Sequence, residues 1–120
     1  MEKVLIVGDE VKIMVAVEFL LQQTSYAVDS ARTEAEAMAK LDRFAPDLVL
    51  LDVAQSGTRC LDFLQKVRRD PLRGAVAIIM LAPKGREVEV NKGLALGAKA
   101  AVAKPFSTSD LLAEVRRWLD

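Results

Sequence analysis

The chain has 120 residues, enough for a domain with its own hydrophobic core. Hydrophobic residues make up 52% and charged residues 28%, which excludes a disordered or low-complexity chain. Seventeen basic residues balance seventeen acidic ones and histidine is absent, so neither a nucleic-acid footprint nor a zinc hydrolase or Ser-His-Asp catalyst is supported.

The predicted elements alternate strand and helix along the chain. A strand over 3–7, carrying Val4-Leu5-Ile6-Val7, runs into Gly8-Asp9-Glu10, and a helix over 11–24 follows. A strand at 27–31 precedes a helix at 34–44, whose start reads as a capping box of Thr33 and Glu36. Pro46 separates that helix from a strand at 47–51, which runs into Asp52. A helix over 58–70 closes at Asp70-Pro71, and a strand at 77–81 comes next. The helix at 86–96 has the poorest propensity, because Val88, Val90 and Gly93 lie inside it; Gly97 marks its end. A strand at 100–103 runs into Lys104-Pro105, and Ser107 with Asp110 caps a last helix at 108–119. No apolar run approaches the ~20 residues of a membrane span, and the N-terminus lacks signal-peptide layout. Cys60 is the single cysteine, so no intrachain disulfide is possible and a reducing cytoplasm is the expected setting.

Continuous apolar strands alternating with helices predict a parallel sheet covered on both faces, an α/β doubly wound domain of three layers. Ligands of such sheets sit beyond the carboxyl ends of the strands. Asp9, Asp52, Lys104 and, less firmly placed, Glu10 therefore converge on one small site. Carboxylate oxygens suit a hard cation such as Mg²⁺, and the ammonium suits a phosphoryl group beside it.

With these strand-end charges in order, the chain resembles a response regulator receiver domain over essentially its whole length. The motifs are the acid after strand one, the lone Asp52, Lys104-Pro105-Phe106, and Gly97-Ala98 upstream of them. The resemblance implies a flavodoxin-like (βα)5 sheet of strand order 2-1-3-4-5, forming one receiver-like domain over residues 1–120. It implies that Asp52 accepts a phosphoryl group from a histidine kinase or phosphotransfer protein. Mg²⁺ would be held by Asp9, Asp52 and the backbone carbonyl of Ala54. Glu10 is either a further ligand or an acid favoured at a helix N-terminus. Lys104 would pair with Asp52 and then with the phosphoryl oxygens, aimed by a cis Pro105. The module would be a cytoplasmic signalling protein, not an enzyme, with no membrane contact and no direct nucleic-acid binding.

Three positions depart from the family pattern. Gly8 stands where the first of two adjacent acids is usual, Ala82 where a Ser or Thr follows strand four, and Ala101 where an inward-turning aromatic sits. Metal affinity should fall, and the hydroxyl-aromatic relay is absent. Ser56 or Thr58 is either a substitute hydroxyl or a turn and cap group. Lys99 puts a cation where many relatives carry an acid.

The first helix is apolar nearly all round. Ile13, Val17, Leu20 and Leu21 fit the sheet-facing stripe, leaving Met14, Val15 and Phe19 as either scattered surface residues or a partner or self-association surface. Two functions remain in contention: a phosphoacceptor with an altered output switch, and a phosphorylation-independent pseudo-receiver acting as an interaction module. An unrelated nucleotide binder lacks its phosphate-cradling glycine loop, since Val7-Gly8-Asp9 holds one glycine.

Overall fold

Alternate residues of each central strand point to opposite faces, and each face collects its own helices. A computed structural model describes residues 1–53 and 57–120, residues 57–59 by their backbone alone. The strands are β1 (Lys3–Val7), β2 (Ala27–Ala31), β3 (Leu48–Asp52), β4 (Ala77–Pro83) and β5 (Ala100–Lys104). The helices are α1 (Val11–Gln22), α2 (Glu34–Arg43), α3 (Gly57–Arg69), α4 (Glu87–Ala95) and α5 (Thr108–Leu119). All strand pairs are parallel, in the order β2-β1-β3-β4-β5. This is the expected doubly wound, flavodoxin-like arrangement.

Val4, Ile6, Leu48 and Leu50 pack with Val17 and Leu21 of α1 and Leu111 and Val115 of α5. Leu5, Val7, Val49 and Leu51 pack instead with Leu41 of α2, Phe63, Leu64 and Val67 of α3, and the Val90 side of α4. Burying an aliphatic side chain of this kind contributes roughly 1.5–3 kcal/mol, so the two layers dominate stability. The edge strands are less covered: β2 is half-buried through most of its length and β5 exposes Ala101 and Ala103. Continuous burial therefore belongs to β1, β3 and β4 alone.

Local chemistry sets several boundaries. The Thr33 hydroxyl accepts from the Glu36 N–H, and Ser107 does the same for Asp110, as the sequence suggests. Strand β3 is shifted by one residue from its expected bounds. Asp47 stays outside the ladder, where its carboxylate accepts from the Lys3 N–H at 2.8 Å, while Asp52 joins the ladder opposite Leu81. Strands β4 and β5 also run further than expected, so Ala82 lies inside β4 and Lys104 ends β5. On the β2 edge, Lys40 of α2 donates to the Ser30 carbonyl and the Asp29 carboxylate.

Helix α1 requires a correction. Met14 is a core residue at 5% exposure, not a surface one, and lies in the layer with Val17 and Leu21. A helix apolar on several faces offers no polar stripe by which to orient it. Ile13 and Leu20 flank this layer half-buried. Val11, Val15 and Phe19 are exposed, at 51%, 59% and 66%.

Candidate functional site

Three strand ends build the site. Asp52 closes β3, Lys104 closes β5, and Gly8-Asp9-Glu10 connects β1 to α1. Asp52 is 2% exposed, and its Oδ1 accepts from Lys104 Nζ at 2.5 Å. Its second oxygen, Oδ2, is buried without a hydrogen-bond partner among the described residues. An orphaned carboxylate oxygen in a protein interior is costly, and it marks a place where a ligand would complete the valence.

Burial raises the Asp52 pKa above the ordinary carboxylate value, and the hydrogen bond and charge of Lys104 oppose that rise. Glu10 and Asp9 add negative potential and push it up further. Lys104 also approaches Glu10 Oε2 at 3.8 Å, and its own side chain is 12% exposed. Glu10 occupies the N-cap position of α1 without making a side-chain cap hydrogen bond, and its carboxylate faces Lys104 instead. The Lys104–Pro105 peptide is cis.

A cavity of about 310 Å³ opens beside this cluster, lined by Gly8, Asp9, Asp52, Arg32, Cys60 and Phe63 among others. Arg32 and Cys60 were not expected at the site. Arg32 directly follows the last residue of β2 and is thus a strand-end charge in its own right, and the Cys60 thiol donates to the backbone carbonyl of Asp52 at 3.2 Å. The expected carbonyl of Ala54 and the hydroxyl of Ser56 lie outside the described residues, as does the Thr58 side chain.

The donor set was tested against a divalent cation. Among the described residues no group of three or more His, Cys, Asp and Glu is placed to hold a metal. Exposed Asp9 beside the orphaned Oδ2 of Asp52 nevertheless provides two carboxylates at one mouth of the cavity. That set fits a hard cation which takes its remaining ligands from backbone, water and phosphoryl oxygens.

Ala82 follows Leu81, the ladder partner of Asp52, while Ala101 lies on β5. Both line a groove of about 320 Å³ between β5 and the start of α4, with Pro83, Arg86 and Val90. Ala82 is 4% exposed and Ala101 is exposed. Neither carries a group that hydrogen-bonds or changes rotamer. Lys99, just before β5, places its ammonium 5.6 Å from the Trp118 ring centroid of α5.

Comparison with known proteins decides the family. The model of the response regulator receiver domain matches residues 4–116. The chain belongs to that family. It is 35% identical over 117 residues to the phosphate regulon transcriptional regulatory protein PhoB of Rhizobium meliloti, covering 98% of this chain and 52% of that protein. It is 37% identical over 118 residues to the regulatory protein VanR of Enterococcus faecium, covering 98% and 50%. The chain thus spans about half the length of these relatives. Among solved structures, the chemotaxis response regulator CheY4 of Vibrio cholerae superposes with a TM-score of 0.87 at 30% identity, covering 98% of each chain. The receiver domain of NtrX from Brucella abortus gives 0.88 at 26%, covering 97% of each. Receiver domains are signalling modules of two-component systems and generally use Mg²⁺. Among the described residues, no helix is long and apolar enough to cross a membrane.

Proposed function

We propose that the chain accepts a phosphoryl group on Asp52 from a histidine kinase or phosphotransfer protein, in a cytoplasmic phosphorelay. The observation that carries this is the division of labour on one buried carboxylate: Oδ1 is held by Lys104 and Oδ2 is left without a partner.

The residues divide the step between them. One carboxylate oxygen of Asp52 attacks phosphorus, the donor's P–N bond breaks, and its electron pair goes to the leaving imidazole nitrogen, giving an aspartyl phosphate. Lys104 fixes the carboxylate's rotamer through Oδ1 and is placed to follow the negative charge onto the phosphoryl oxygens. Asp9 and Asp52 would hold Mg²⁺, which when bound offsets charge repulsion between carboxylate and phosphoryl oxygens. Glu10 tempers the charge of Lys104 from the exposed side.

Gly8, Ala82 and Ala101 favour a second reading, an interaction module that works without phosphate. Under the first reading, those same positions mean that output leaves by another route than the hydroxyl-aromatic pair. PhoB is described as a transcriptional regulatory protein; whatever output this chain serves, the module reads phosphate and does not itself contact DNA.

Intact mass after incubation with phosphoramidate and Mg²⁺, beside an Asp52→Asn control, tests the proposal. One phosphoryl adduct that disappears in the control is the expected result. A folded native protein that never acquires the adduct would favour the interaction module.

A further inference from the structure

Gly8 does more than remove a carboxylate. A Cβ built on Gly8 would lie 2.7 Å from Asp52 Cβ, 3.2 Å from Met14 Sδ and 3.4 Å from Asp52 Oδ2. The first distance is one that real Cβ atoms do not show, and Asp52 Cβ is no flexible chain end that can swing aside. The Gly8 N–H is tied to the Ala31 carbonyl at 3.0 Å, which holds the end of β1 in place. A side chain at position 8 is therefore trapped between Asp52 on one side and Met14 on the other. Met14 is itself packed at 5% exposure in the α1 core layer, so its thioether is a fixed neighbour of Gly8 and not a surface group.

We infer that Gly8 and Met14 act as one unit: Met14 occupies space that a side chain at position 8 would need, and so limits how an acid there could join Asp9 and Asp52 in holding a divalent cation. Met14 is a positioning residue that acts through the side chain at position 8. The inference deepens the phosphoacceptor reading and rests on it. Its consequence is that restoring the acid alone does not restore the metal site. The added side chain presses on Asp52, and a smaller residue at 14 relieves the second of its two close contacts and gives it a direction in which to yield.

The test is a double-substitution cycle on the full chain: native, Gly8→Asp, Met14→Ala, and both together. Mg²⁺ is titrated in the presence of beryllofluoride, following the amide resonances of Asp9 and Asp52. Gly8→Asp alone should change the Mg²⁺ dissociation constant by less than threefold, whereas the pair should tighten it at least tenfold over Gly8→Asp. A tenfold gain from Gly8→Asp alone, with nothing added by Met14→Ala, overturns the inference but leaves the phosphoacceptor reading intact. Absence of Mg²⁺ binding in all four proteins overturns both. Should Gly8→Asp fail to fold, thermal unfolding of Gly8→Ala with and without Met14→Ala carries the same cycle. There, a Cβ that destabilises less in the Met14→Ala background supports the coupling, and equal losses in both backgrounds refute it.

Discussion

The Asp52 cavity and the β5 groove open off the same sheet, yet they have kept different things. At the first, a buried carboxylate, an ammonium at 2.5 Å and two further acids remain together. At the second, two alanines stand where a switch would need a hydroxyl and an aromatic ring. Under the proposed function, the contrast implies that capture of a phosphoryl group and its readout are separable: the first depends on charges fixed at strand ends, the second on side chains that can move.

The comparison breaks most directly at Lys104. Lys104→Met leaves the Asp52 carboxylate buried without a partner, which costs about 3 kcal/mol at pH 7 in urea unfolding. It should also slow phosphoryl uptake at least a hundredfold by intact mass. Arg68 is the counterpart away from the site. Its guanidinium donates to the carbonyls of Gly74, Val76 and Gly97, joining the end of α3 to the segments before β4 and β5. Arg68→Met should cost about 2–3 kcal/mol in the same assay, while uptake per folded molecule stays unchanged. Equal damage to uptake would show that the two regions are not independent.

Rebuilding the relay probes the other side. Ala82→Thr puts a hydroxyl at a buried position and should cost about 1 kcal/mol. Combined with Ala101→Tyr, it should give beryllofluoride-induced shifts around α4 that the native chain lacks. Absence of such shifts would place the loss of readout elsewhere. The smallest effect concerns pH. Since burial raises the folded pKa of Asp52, its ionisation opposes folding. The penalty is absent below the unfolded value of about 4 and grows as pH rises through the folded value. Asp52→Asn should accordingly gain thermal stability at pH 7 relative to native, with the gain shrinking toward pH 4. A gain independent of pH would deny that charge burial is its cause.

Asp9, Asp52 and Lys104 were legible because parallel-sheet geometry sends every strand-end charge to one place, whatever the packing beneath. Met14 was not, because periodicity cannot rank the faces of a helix that is apolar around most of its circumference. Arg68 was hidden for another reason: its partners are backbone carbonyls on separate segments, which leave no mark in residue type. Arg32, at the end of β2, obeys the same strand-end rule and was passed over, whereas Cys60 is brought to the cavity by the placement of the first turn of α3. Gly8 carried a signal read for charge alone; a glycine at a strand end beside a buried acid also speaks of close backbone approach.

Lys40 bears on how the molecule behaves in company. Strand β2 is a border of the sheet, and a border with open acceptors invites a foreign strand to continue the ladder. By seating its ammonium on the Ser30 carbonyl and the Asp29 carboxylate, Lys40 occupies one such acceptor. Part of the defence of that rim against a foreign strand is thereby carried by an α2 side chain.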